Sequence, residues 1–358
     1  MLWYLNGVKQ KFQPFVKFGK TIQLPVSEAW KSKVMGDLIQ IRNLKKHFPL
    51  SSGFYSKNTT KVIAVDGVDF SISRGETLGL VGESGCGKTT IGRLLTRVIK
   101  PDSGEIIFEG QNVLSMPDSK FRDIQKDIQM VFQDPQASLN PRMTIKASVK
   151  EPFIVHRIYD KHHIESEIMY LINIVGLNPE HLNRYPRELS GGQQQRVGIC
   201  KAIALKPKFL ILDEPTSSLD VCVQAQILNT LKKLQTEMNL TYLFISHDLS
   251  TVHYMSDNVA VMYLGQIVEM ASVRKLFTNM FHPYTHALFS AFPTFRDEVR
   301  RVDIVLKGDV PNPVNPPNGC RFHPRCNQHR NICRTEMPNL VEVEENHFVR
   351  CHLWTHWN

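Results

Sequence analysis

The 358-residue sequence has no unbroken apolar stretch of about eighteen residues, the length a helix needs to cross a bilayer. Its opening residues, MLWYLNGVKQKFQPF, lack the continuous apolar core and small-residue cleavage site of a secretory leader. The two absences predict a cytosolic protein. Long basic runs are missing as well. Lys and Arg outnumber Asp and Glu by 43 to 34, a net charge of +9, but the excess is spread along the chain. Such spreading fits a nucleotide-binding protein, or one beside an anionic membrane, better than a protein that tracks a nucleic-acid backbone. Neither heptads nor an internal repeat occurs, so no coiled coil or duplicated module is expected. What remains, 42% hydrophobic and 22% charged residues, is the composition of a globular protein with one large domain and a smaller one.

Cysteine is sparse, at seven residues, and unevenly placed. Cys86, Cys200 and Cys222 are scattered, whereas Cys320, Cys326, Cys333 and Cys351 crowd the end of the chain. In a reducing compartment structural disulfides are not expected, and the clustering asks for a metal. The spacing C-x5-C-x6-C-x17-C lacks the close Cys pairs that gather zinc. Longer loops let each sulfur approach a different corner of an iron–sulfur cube. A [4Fe–4S] cluster, zinc and free thiols all stay open, and His323, His329, His347 and His352 lie nearby as alternative ligands.

Along the chain, residues 1–36 mix aromatics (Trp3, Tyr4, Phe12, Phe15, Phe18, Trp30) with lysines and show no helical period. They read either as a membrane-surface or subunit-docking arm or as a floppy extension. From Asp37 the pattern sharpens into strands, LIQIRNLKKHF and KVIAVDGVDFSISRGETLGLVG, and then a helix, TTIGRLLTRVIK. A central helical stretch at about 145–185 precedes FLILDE and TYLFIS, continuous apolar runs that suit parallel strands buried on both faces. HPYT (282–285) reads as a turn followed by a short apolar helix, and PNPVNPPNGC (311–320) as a linker into the cysteine tail.

GESGCGKT (82–89) follows a strand and opens a helix, the setting in which G-x-x-x-x-G-K-[ST] binds phosphate. Gly82, Glu83, Ser84, Gly85, Cys86, Gly87 and Thr90 frame a loop whose glycines let backbone N–H groups turn inward. Lys88 is placed to reach the terminal phosphates and the Thr89 hydroxyl to ligate Mg²⁺. FLILDEP (209–215) ends a buried strand in two acids, Asp213 for Mg²⁺ and Glu214 to polarise a water for in-line attack on the γ-phosphate. Between them, LSGGQQQR (189–196) opens a helix with Ser190 as its cap. With one phosphate loop already present, the N–H groups at Ser190, Gly191, Gly192 and Gln193 form a second phosphate-binding surface for another subunit's ATP.

This combination resembles the ATP-binding cassette family over about 37–275. The resemblance implies an α/β P-loop NTPase nucleotide-binding domain with a helical subdomain at about 134–190. It implies Asp220 of SSLD as the D-loop acid, His247 of ISHD as the switch histidine, and Gln133 of VFQDP as the glutamine that senses Mg²⁺ and the permease. Phe48 matches the aromatic that stacks on adenine. MVFQDPQASLNPRM and FHPYTHALFSAFP (281–293) resemble the F-type ATPases of oligopeptide and dipeptide importers. That likeness implies a 276–358 extension with a small cysteine-rich domain, stapled by a [4Fe–4S] cluster on Cys320, Cys326, Cys333 and Cys351. It also implies a homologous D-type ATPase partner, two membrane permeases, an extracellular solute-binding protein, and residence at the cytoplasmic face of the cell membrane. Oligosaccharide or metal-chelate cargo is the alternative within the same importer class, and a nucleic-acid-associated cassette ATPase the competing class.

Overall fold

The computed structural model describes residues 36–50, 60–157, 161–290 and 308–355. The aromatic–lysine segment therefore lies outside the described residues, Gly36 excepted. β1 (Asp37–Pro49) and β2 (Lys61–Ser73) lead into β3 (Thr77–Val81), and β4 (Ser103–Phe108) and β5 (Gln111–Asn112) follow the first helix. β1, β2, β4 and β5 make an antiparallel four-stranded sheet in the order β2-β1-β4-β5.

The second sheet carries the chemistry. It adds β6 (Ile128–Val131), β7 (Phe209–Asp213), β8 (Thr241–Ile245), β9 (Asn258–Tyr263) and β10 (Gln266–Ser272) to β3. Pairing is parallel across β9-β3-β8-β7-β6. β3, β7 and β8 are buried at every position, as strands covered on both faces must be. Successive side chains then serve opposite cores. Leu210 and Leu212 join the helices on one face, while Phe209 and Ile211 join the antiparallel sheet on the other.

The helical region between β6 and β7 holds Pro135–Ser138, Ile145–His156, Lys161–Ile174 and Gly191–Ile203. Val149, Phe153, Ile168, Leu171 and Ile199 share one buried cluster, each such side chain contributing about 1.5–3 kcal/mol. The helix expected over TTIGRLLTRVIK is shorter, Lys88–Leu95. Arg97 turns left-handed (φ 53°) and spends its guanidinium on Val113 O, Met116 O and Asp118, which stops the helix.

One expectation needs correction. HPYT is no free turn: Pro283 and Tyr284 begin the helix Pro283–Ser290, proline being suited to a first helical turn. His282 Nδ1 accepts the Tyr284 N–H at 3.0 Å, which caps that start. The cysteine tail, expected as a small cysteine-rich domain, adds its hairpin to the large sheet. β11 (Val341–Glu344) and β12 (His347–Val349) extend the order to β11-β12-β10-β9-β3-β8-β7-β6. Phe322 enters one core cluster and Leu340 and Phe348 the other. The tail has too little apolar surface for a core of its own and shares the cassette's.

Candidate active site at the phosphate loop

Parallel strands bring their C-terminal ends to one edge, and there the loop 82–89 lies. Gly85 and Gly87 are left-handed (φ 78° and 110°), and a Cβ on Gly87 would sit 2.2 Å from the Ala64 carbonyl. Lys88, 6% exposed at the start of the helix, donates to Gly82 O at 2.8 Å and Glu83 O at 3.1 Å. The Thr89 hydroxyl donates to Asp213 Oδ1 at 3.0 Å. Burial pushes the Asp213 carboxyl up, Glu214 adds to the rise, and the Thr89 hydroxyl opposes it. A buried hydroxyl–carboxylate pair whose charge is disfavoured is a setting that a hard divalent cation relieves, so the donor set fits Mg²⁺.

Glu214 stands at the tip of β7 with φ +46°, a conformation that costs a non-glycine residue about 1–3 kcal/mol. Its carboxylate accepts from Gln133 Nε2 at 2.9 Å and lies 3.2 Å from His247 Nδ1. The structure thus joins residues 81 and 33 positions away from Glu214 around one carboxylate. A cleft of about 650 Å³ opens over them. Its phosphate end is Ser84, Gly85, Gly87, Lys88, Thr89 and Thr90, with Gln133, Glu214 and His247 beside them. Phe48, Val62 and Pro313 line the same cleft.

Other sequence candidates lie elsewhere. Ser190, Gly191, Gly192, Gln193 and Asp220 do not line the cleft. Ser190 caps the helix Gly191–Ile203 reciprocally with Gln193, at 2.9 and 3.4 Å. Asp220 caps Val221–Met238 by accepting the Val223 N–H, and a Cβ on Gly192 would meet Val223 at 2.5 Å. These residues gather at two neighbouring helix starts, where Ser190, Gly191 and Asp220 are exposed and Gly192 is buried. Within the loop, the Cys86 thiol is buried in the core and pushed up by that burial, and the Glu83 side chain does not line the cleft.

Cys320, Cys326, Cys333 and Cys351 do converge, lining one cavity of about 10 Å³ with His323 and His329. Burial raises Cys320 to about 11 and Cys351 to about 12, and neighbouring sulfurs add to both. Among the described residues no group of three or more His, Cys, Asp or Glu is arranged to hold a metal ion. His347 does not line that cavity; it is fully buried against Glu269, 2.8 Å away.

Sequence reasoning missed three contributors. Pro313 was linker. Tyr284 belonged to the expected turn, yet its hydroxyl accepts the Glu83 N–H at 3.0 Å. Arg325 carried no signal beyond its charge.

Residues 65–217 match the family description "ABC transporter" and residues 268–333 "Oligopeptide/dipeptide transporter, C-terminal region". The oligopeptide transport ATP-binding protein AppF of Bacillus subtilis is 50% identical over 321 residues, 89% of this chain and 98% of that protein. The chain belongs to the ATP-binding cassette family. Within it, the dipeptide transport ATP-binding protein DppF of Haemophilus influenzae is 44% identical, across 88% of this chain and 96% of its own length. A solved ATP-binding cassette dimer, in a post-hydrolysis state bound to ADP and Pi, matches with a TM-score of 0.59 at 26% identity. That match covers 66% of this chain and 99% of the other. This cassette is an ABC-type ATPase with the family's α/β nucleotide-binding domain and helical subdomain. Among the described residues, no helix is long and apolar enough to cross a membrane.

Proposed function

We propose that the chain is the ATP-hydrolysing subunit of a membrane importer for oligopeptides or dipeptides, working at the cytoplasmic face of the cell membrane. Its partners are a homologous D-type ATPase, two permeases and an extracellular solute-binding protein. Relatives named for oligopeptide and dipeptide transport, similar over almost their whole length, support that cargo. The divisions 1–36, 37–275 and 276–358 follow from the same reading.

One observation carries the catalytic assignment: Glu214 is held by Gln133 and His247 at the mouth of a cleft that also contains Lys88 and Thr89. Phe48 stacks on adenine. Backbone N–H groups of 82–90 and the Lys88 ammonium neutralise the phosphates. Thr89, Asp213 and Gln133 would hold Mg²⁺, which would supply compensating positive charge to the phosphates. Glu214 accepts a proton from water as its oxygen bonds to the γ-phosphorus and the bond to the ADP oxygen breaks. His247 steadies the γ-phosphate. Ser190, Gly191, Gly192, Gln193 and Asp220, turned away from this chain's own cleft, face the ATP of the partner in a head-to-tail pair. Closure reaches the permeases through the region around Gln133.

In the tail, Cys320, Cys326, Cys333 and Cys351 would hold a [4Fe–4S] cluster, with zinc as the alternative. Four sulfurs on one cavity, with Cys320, Cys326 and Cys351 raised chiefly by burial, are a donor set that a thiophilic metal would stabilise. Its part is to staple a small cysteine-rich unit to the cassette. Nothing in ATP hydrolysis calls for a redox step.

Glu214→Gln keeps shape and removes the base. Turnover should fall by roughly 10²–10⁴ while ATP still binds. Undiminished hydrolysis would remove Glu214 from this role.

A further inference from the structure

The loop between the first two tail cysteines, Arg321–Arg325, inserts three side chains beneath the phosphate loop. The Arg321 guanidinium binds Leu264 O and the Asp66 carboxylate. Phe322 packs edge-on to Tyr263, with ring centroids 5.3 Å apart, and against Tyr284 at 5.5 Å. Arg325 reaches furthest. Its two terminal nitrogens donate to both oxygens of Glu83, at 2.8 and 3.0 Å, and its side chain is only 7% exposed. Two parallel charge-assisted bonds fix a carboxylate in direction as well as position.

Glu83 is the second residue of the phosphate loop, and each of its polar groups is tied down. Tyr284 takes its N–H, Lys88 its carbonyl and Arg325 its carboxylate. The carboxylate matters most for function. A negative charge in a loop built to surround a triphosphate opposes ATP unless a cation neutralises it, more so in a half-buried setting of low dielectric. The loop's own Lys88 does not touch that carboxylate, and the tail supplies the compensating charge.

We propose that Arg325 is a positioning residue for ATP: by pairing with Glu83 it neutralises and orients the phosphate loop, and so couples the fold of the cysteine tail to nucleotide binding. The inference rests on the reading of 82–89 as the ATP site. By linkage, a tail that favours the ATP-ready loop is itself stabilised by ATP.

The test compares, in four variants, ATP affinity of the full chain and turnover of the full chain together with its partner ATPase. Arg325→Ala should weaken ATP by about tenfold, with kcat at saturating ATP changed by less than about twofold. Adding Glu83→Gln to that variant removes the stranded charge and should restore affinity to within about threefold of the parent. Arg325→Lys, which keeps the charge but not the fork, should fall between and carries the comparison should the alanine variant not fold. Lys88→Ala separates the two levels of the argument. ATP binding undiminished there overturns the phosphate-loop reading itself. Binding lost there but parent-like in Arg325→Ala overturns only the inference. So does a double variant as weak as the single, since a purely structural contact gains nothing from Glu83→Gln.

Discussion

Gly87 and Glu214 occupy unusual backbone conformations for opposite reasons. Gly87 is glycine because nothing else fits: its φ of 110° and the Ala64 carbonyl 2.2 Å from a would-be Cβ exclude a side chain. Gly87→Ala should therefore displace the loop and weaken ATP binding by about 5- to 150-fold, the range that 1–3 kcal/mol of backbone strain corresponds to. Equilibrium titration with ATP checks this, and parent-like affinity would contradict the loop geometry. Glu214 accepts its positive φ despite having a side chain, and the Gln133 and His247 contacts that result are the functional return. The glycine was legible from its place in GESGCGKT. The strain at Glu214 was not, because residue type gives no hint that a carboxylate will be held left-handed by long-range partners.

Among the elements, the buried runs TLGLV, FLILD and TYLFI were readable as parallel strands because continuous apolar sequence of that length has few other uses. The tail was not. HFV is too short to announce a strand, and its burial depends on β10, which it meets through Glu269↔Val349 and Met270↔Phe348. Glu269 explains the docking further: fully buried, its carboxylate accepts the N–H groups of Phe281 and His282 and meets His347 of the tail. His282 stays neutral there, its imidazole held down at about 4, chiefly by burial, so that its Nδ1 lone pair can cap the next helix. The cysteines complete this element. If they share one metal centre, Cys320→Ser and Cys333→Ser should each lower the iron and acid-labile sulfide, or the zinc, of protein purified without oxygen. Full metal content in both variants would sink the four-thiolate proposal.

At the scale of the whole molecule, the sequence-predicted ATP residues fall into two groups, of which one lines the cleft and the other does not. The phosphate loop, Asp213, Glu214 and His247 gather at the ends of the parallel strands. Ser190–Gln193 and Asp220 gather instead where two helices start side by side, held by the tight Gly192–Val223 approach. Sequence order hinted at this, since LSGGQQQR opens a helix far along the chain from GESGCGKT, and the absence of Ser190 and Asp220 from the cleft lining fits the head-to-tail pair proposed above. Pro313 on the cleft's wall comes from chain beyond the matched cassette segment, and no motif marks it.

The most direct measurement is the mass of the Glu214→Gln chain with its partner ATPase, in ATP with Mg²⁺, with and without Ser190→Arg. The account predicts a stable ATP-dependent pair that Ser190→Arg abolishes while each chain still binds ATP at its own phosphate loop. A pair that survives Ser190→Arg, or a chain that loses its own ATP with that change, would contradict hydrolysis in a site shared between two subunits.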